Sequence, residues 1–209
     1  MKVIGIKGNY TINNTPSQPQ VFLMADSSLL KDGKPLFLPD FAEKFIARPV
    51  FIVRINRLGK NIAKRFASRY YDAVTVGLCV EAQGFKHSDT IAGCDSVVNA
   101  FDGAAVLGDF IPVEEVANIN NCEFSVKYGN GESITLNSAN LSTDIDSLIE
   151  ELSKYFTFKI GDILFTGYAD SNSFELSIND VIEGSINGAQ ALHFKVKKWL
   201  LSTQTIIRQ

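Results

Sequence analysis

The chain has 209 residues, 45% of them apolar and 21% charged, with a net charge of −3; this is the size and composition of one large globular domain. A chain of this length buries about 70% of the surface that its unfolded form exposes, so it needs no disulfide or metal staple to fold. No block of like charges marks a surface for nucleic acid or an anionic membrane, so neither partner is expected.

The N-terminal run from Met1 to Gly8 is broken by Gly5 and Lys7 and does not read as a signal peptide. The longest apolar runs, such as Val21 to Ala25, fall far short of the roughly 20 residues needed to span a bilayer. Three cysteines, Cys79, Cys94 and Cys122, are an odd and sparse set, and the reading is a chain of the reducing cytoplasm.

In chain order, residues 2–8 and 20–24 are short strand candidates. Asn61 to Tyr71 is expected to be a helix, because Ile62, Phe66 and Tyr70 fall on one stripe. The segment before it, Pro49 to Leu58, is a strong strand candidate with Val50, Phe51, Ile52, Val53 and Ile55. Ala73 to Ala82 alternates, with Val74, Val76, Leu78 and Val80 on one face and Thr75, Gly77, Cys79 and Glu81 on the other. Phe124, Val126 and Tyr128 alternate up to Gly129-Asn130-Gly131, and the chain resumes at Ser133 to Leu136, which is a hairpin pattern. A second helix is expected over Asp144 to Phe156, entered through Ser142-Thr143, with Ile145, Leu148, Ile149, Leu152 and Phe156 at helical spacing. From Ile163 to Val196 Gly and Asn-Asp divide the chain into short β segments. Few helices among many strands predict a β-rich α+β domain over 1–196, with 197–209 as a C-terminal tail.

Several segments together resemble the fumarylacetoacetate hydrolase family. They are Asn9-Tyr10, Asp26-Ser27-Ser28-Leu29-Leu30 with Leu38-Pro39-Asp40-Phe41, the stretch from Arg54 to Ile62, Arg69-Tyr70-Tyr71-Asp72, Phe101 to Gly108, and Gly161 to Gly167. Their order and spacing carry the likeness over roughly residues 2–196. The resemblance implies a mixed β-roll with a few short helices, usually a homodimer. It also implies Mg²⁺ or Mn²⁺ chemistry on 2-oxo acids, namely C–C hydrolysis, decarboxylation or keto–enol isomerisation. There a hard cation held by carboxylates chelates the substrate and stabilises its enolate.

The sequence departs from the family where that chemistry sits. The positions of the family's two strand carboxylates hold Arg48 and Val50, and that of its aspartate ligand holds Cys79. A hard cation needs oxygen ligands, and Arg48 would repel it. Sliding the match along the strand offers Glu81, on the same face as Cys79. The nearest carboxylate to the first pair is Glu43, five residues upstream of Arg48. The family's lysine is matched by Asn99 and its histidine by Asn13, while Thr166 survives. The family's Lys-Pro becomes Met24-Ala25, and its Thr-Pro becomes Tyr168-Ala169.

Two readings of Arg48 stand side by side. Its guanidinium could stand in for the metal and bind a carboxylate bidentately, or it is a salt-bridged arginine on an edge strand. Cys79, His87 and Cys94 lack the spacing of a zinc site. Cys79 could be a nucleophile with His87 or His193 as base, or a small buried hydrophobe. Gly5-Ile6-Lys7-Gly8 lacks the full phosphate-loop pattern and reads as a turn. Asp102 and Asp109 flank the Gly103 loop as a solvated pair or as substrate-positioning groups.

Two functions follow. In the first, the chain is a catalytically inactive or strongly diverged homologue, without metal or other cofactor, that binds a partner or a small anion such as a carboxylate in the inherited cleft, or acts as a structural protein. In the second, it is a divergent hydrolase, isomerase or decarboxylase of 2-oxo acids or acylpyruvates. It would use Arg48 as electrophile with Asn99 and Thr166 as donors, and Mg²⁺ or Mn²⁺ if metal chemistry persists.

Overall fold

In the computed structural model, residues 1–11, 18–86, 97–168 and 170–199 are described. Asn13, His87, Cys94, Ala169 and residues 200–209 lie outside them. The architecture is the expected β-rich α+β fold, and two sheets account for most of it.

The first sheet is built on two long antiparallel strands, β5 (Ala42–Ile55) and β6 (Tyr71–Phe85), reached after β1 (Val3–Lys7), β2 (Gln20–Met24), β3 (Leu29–Leu30) and β4 (Leu36–Leu38). Later strands are β7 (Ala105–Leu107), β8 (Ile111–Pro112), β9 (Glu123–Tyr128), β10 (Glu132–Asn137), β11 (Ile163–Tyr168), β12 (Phe174–Glu175), β13 (Val181–Ile186) and β14 (Ala189–Lys198). Among the described residues the first sheet runs β2-β1-β11-β5-β6-β7-β3, with β12 on β5 and β8 on β6. The second runs β10-β9-β13-β14-β4. Three pairs are parallel, β1 with β11, β3 with β7 and β14 with β4, so both sheets are mixed.

The two faces of β6 follow its period-two alternation. Val74, Val76, Leu78 and Val80 enter the larger core, which lies between the sheets, and Phe51 meets Phe124 of β9 there at 5.6 Å. Cys79 joins a second cluster on the opposite face with Val50, Ile52, Phe165 and Tyr168. Gly184 on β13 lets the sheets approach, since a Cβ there would lie 3.0 Å from Val76 Cγ1 and 2.9 Å from Leu192 Cβ.

Helix α1 (Ile145–Tyr155) buries Ile145, Leu148, Ile149 and Leu152, the stripe expected from sequence. Its N-cap is Asp144, whose carboxylate accepts from Ser147 N at 2.8 Å, within one residue of the expected start, and the cap is Asp144 rather than Ser142 or Thr143. The helix expected over Asn61 to Tyr71 shrinks to a 3-10 segment, Lys64–Arg69. Asn61 has φ of 51° and Ala63 is extended, because α1 holds this entry: Asn61 N and Ile62 N donate to the Ser153 carbonyl and hydroxyl. The expected tail also moves, since β14 continues through Lys198, two residues past the boundary at 196. Among the described residues no helix is long and apolar enough to cross a membrane.

Candidate functional site

Register between β5 and β6 builds the floor of the site. Arg48 lies opposite Cys79, Val50 opposite Gly77 and Ile46 opposite Glu81. Paired residues in an antiparallel ladder point to the same side. The three positions that the resemblance assigns to metal ligands, Arg48, Val50 and Cys79, therefore share one face, with Glu81 beside them. Close pairing here requires Gly77, where a Cβ would lie 2.1 Å from the Val106 carbonyl oxygen.

The wall comes from β1, β2 and the end of β11. Gly167 has φ of 149°, and the β1–β11 register slips between Gly5 and Lys7, so that Tyr168 pairs with Lys7. Asn9 holds this irregular turn. Its Nδ2 donates to the carbonyls of Thr166 (2.8 Å) and Thr143 (3.0 Å), and its Oδ1 accepts from Thr143 N at 2.8 Å. Gly5 admits the Phe22 ring directly over it, and the ring meets Tyr168 edge-on at 6.3 Å. A cleft of about 230 Å³ results, lined among others by Lys7, Gln20, Phe22, Glu81, Asn99 and Tyr168.

Arg48 lies under this cleft and is 5% exposed. Its Nη1 donates to Glu81 Oε2 at 2.8 Å, and its guanidinium sits 5.2 Å from the centroid of the Tyr168 ring. Its Nε lies 3.3 Å from Asp170 Oδ1, yet that N–H is not aligned for a hydrogen bond and has no partner among the described residues. Lys7 Nζ is 3.6 Å from the same Asp170 oxygen, and Gln83 Nε2 donates to Glu81 Oε1 at 3.1 Å. Two cations thus face two carboxylates, and the cluster is formally neutral. Burial pushes the Cys79 thiol up to about 12, against the opposing pull of Arg48. Burial likewise raises the Tyr168 phenol. Both are neutral near pH 7, so they add hydrogen-bonding groups and no charge.

These residues do not fit Mg²⁺ or Mn²⁺. Of the three positions, one holds a guanidinium, one an isopropyl group and one a protonated thiol. The nearby carboxylates of Glu81 and Asp170 already face Arg48. Among the described residues no three His, Cys, Asp or Glu side chains converge as a ligand set.

Arg48 is salt-bridged as one reading held, but β5 is flanked by β11 and β6, so it is not on an edge strand. Asn99 and Glu81 line the same cleft. Thr166 is fully buried, and its hydroxyl donates to the Phe51 carbonyl at 2.8 Å, so its proton is already engaged. His193 belongs to β14 of the second sheet and faces Glu183 at 3.7 Å, away from the sheet that carries Cys79. Asp102 and Asp109 line different clefts and form no pair. Gly5 and Lys7 belong to β1, in keeping with the strand expected over residues 2–8, so Gly5-Ile6-Lys7-Gly8 is not a turn as a whole and the positive φ falls at Gly8. Sequence reasoning missed Lys7, Gln20 and Asp170 as members of this cluster. No local pattern marks them, because pairing between strands brings them together: Lys7 faces Gln20 across β1–β2, and the β1–β11 slip sets Lys7 beside Tyr168.

A family model, fumarylacetoacetate (FAA) hydrolase C-terminal, matches residues 7–197. Among named relatives, the mitochondrial oxaloacetate tautomerase fahd-1 of Caenorhabditis elegans is 25% identical over 186 residues, covering 88% of this chain and 86% of the relative. The mitochondrial oxaloacetate decarboxylase of Dictyostelium discoideum is 24% identical over 177 residues, covering 79% and 80%. Fumarylpyruvate hydrolase from Pseudomonas aeruginosa, solved in complex with Mn²⁺ and pyruvate, superposes with a TM-score of 0.81 at 18% identity, covering 95% of this chain and 90% of that one. The 2-hydroxyhepta-2,4-diene-1,7-dioate isomerase from Mycobacterium marinum gives 0.80 at 20% identity, covering 94% and 74%. Shared fold and a family match over nearly the whole length lead to one conclusion: the chain belongs to the fumarylacetoacetate hydrolase family.

Proposed function

We propose that this chain is a family member in which an internal ion pair replaces the metal centre, and that it binds a small carboxylate without turning it over. The observation that carries this reading is the Arg48–Glu81 contact of 2.8 Å, in which Arg48 stands at a position that the resemblance assigns to a metal ligand and Glu81 lies beside it on the same face. A buried guanidinium neutralised by protein carboxylates supplies neither an open coordination site nor free positive charge to stabilise an enolate. The donors left at the cleft are the Lys7 ammonium and the Gln20 and Asn99 amides. That set suits a carboxylate of a few carbons, which matches the size of the cleft. Homodimeric assembly and a cytoplasmic location belong to the same proposal, the first resting on the resemblance and the second on the sparse cysteines.

A second reading is a divergent enzyme on 2-oxo dicarboxylic acids, favoured by the relatives named oxaloacetate tautomerase and decarboxylase. It needs Arg48 released from Glu81, and Asn99 as the donor in place of the engaged Thr166.

One experiment separates them: thermal melts with Mn²⁺ and with oxalate, each with and without EDTA, beside an oxaloacetate turnover assay. Ligand at about 100 times its dissociation constant adds roughly 2.7 kcal/mol, a rise of about 5–10 °C for a chain of this size. The proposal expects no effect of Mn²⁺, stabilisation by oxalate that EDTA leaves intact and Lys7→Gln removes, and no turnover. Stabilisation by Mn²⁺ that EDTA abolishes, or metal-independent turnover, would overturn it. Indifference to oxalate would overturn the carboxylate ligand.

A further inference from the structure

A second cleft, of about 330 Å³, lies where β4 meets the end of β14. Four aromatic rings line it: Phe37, Phe41, Phe101 and Trp199. Phe37 and Trp199 stand nearly perpendicular, at 81° and 5.8 Å between centroids, and Phe41 and Phe101 repeat this at 76° and 5.5 Å. The inner pair is anchored, since Phe41 also stacks on Phe85 at 5.6 Å and Phe101 is nearly buried. The outer pair is open to solvent, with Trp199 57% and Phe37 39% exposed. Trp199 is tied to β4 through its backbone N–H, which donates to the Leu38 carbonyl at 3.4 Å.

Two carboxylates, Asp40 and Asp102, line the same cleft. Both are exposed, and neither carboxylate has a hydrogen-bond or ion-pair partner among the described residues. No lysine or arginine among the described residues lines it. Aromatic faces carry negative quadrupole density, and free carboxylates add full negative charge, so both features select for a cation with an apolar shell. A simple metal ion gains little here, because the rings offer no donor atoms and two exposed carboxylates leave it mostly hydrated.

We infer that this cleft is a binding site for a small organic cation of the alkylammonium or quaternary ammonium class, held between the aromatic rings and the Asp40 and Asp102 carboxylates. The site is separate from the Arg48–Glu81 cluster, and the inference does not depend on what that cluster does. Nothing in it requires covalent chemistry.

Trp199 is the only tryptophan in the chain, so its fluorescence reports this cleft directly. The test titrates the full-length protein with choline at constant ionic strength, beside the neutral isostere in which carbon replaces the quaternary nitrogen. The expected result is a saturable change in tryptophan emission, with a dissociation constant on the order of 1 mM, the strength expected where a cation meets solvent-exposed rings. Little response is expected from the isostere. Asp40→Asn with Asp102→Asn weakens choline binding by about tenfold, because two exposed ion-pair contributions are lost. Both residues are exposed, so the variant melts within a degree or two of the parent, and rising salt weakens binding in the parent itself. The inference is overturned if choline at about 50 mM gives no saturable change. Equal binding of the isostere, or unchanged binding by the double variant, overturns it as well.

Discussion

Removing one partner of the Arg48–Glu81 pair tests the central claim about this fold. The two side chains are 7% and 17% exposed. At a separation of about 4 Å between charge centres and an effective dielectric of about 20, their attraction is roughly 4 kcal/mol. Arg48→Met leaves Glu81 nearly buried with Gln83 as its remaining side-chain donor among the described residues, and costs about 3 kcal/mol, the lower end of the range for breaking buried pairs. Glu81→Leu costs about 2 kcal/mol, because Arg48 keeps Asp170 nearby. Removing both charges exchanges an ion pair for apolar contacts with Val50 and Ile52 and is close to neutral, within about 1 kcal/mol. The double-mutant cycle therefore shows a coupling of about 4 kcal/mol, read from urea unfolding curves. In thermal melts Arg48→Met falls by about 6–12 °C and the double variant recovers most of that loss. A coupling under about 0.5 kcal/mol, the value of an exposed pair, would refute the reasoning and remove the physical basis for an ion pair in place of a metal.

Two further outcomes follow from the same face of the sheet. Cys79, raised to about 12 by burial, holds its proton in the folded state well above the pH at which the unfolded thiol, near 9.0, loses it. The unfolded chain then binds fewer protons, so this contribution to stability is complete below about pH 9 and declines as pH rises toward about 12. From about pH 8 to 10 the parent loses roughly 1.4 kcal/mol more than Cys79→Ala; parallel pH profiles of the two would refute the burial argument. Asn9→Ala removes three hydrogen bonds that join Thr143 and Thr166, and destabilises by about 3 kcal/mol in urea unfolding. A loss under about 1 kcal/mol would show that water replaces those bonds and that the turn at Gly167 does not depend on them.

Much of this protein is legible without coordinates. Period-two alternation along β6 assigns Val74, Val76, Leu78 and Val80 to one side and Cys79 with Glu81 to the other, because side-chain direction in a strand depends only on residue parity. The stripe of Ile145, Leu148, Ile149 and Leu152 identifies α1 for the equivalent reason at helical period. That Arg48, Val50 and Cys79 stand where the resemblance assigns metal ligands is also read from the sequence, by matching it to the family. The expected helix at Asn61 to Tyr71 fails because its entry is held by tertiary hydrogen bonds from Asn61 and Ile62 to Ser153, which local spacing does not encode. Only the tertiary structure decides what Arg48 touches. Glu81 reaches it through the β5–β6 register, while Tyr168, Asp170 and Lys7 reach it through a one-residue slip between parallel strands distant in sequence. Side-chain direction is a local property of the chain, whereas charge pairing across strands depends on register, and register is set by packing of the whole sheet.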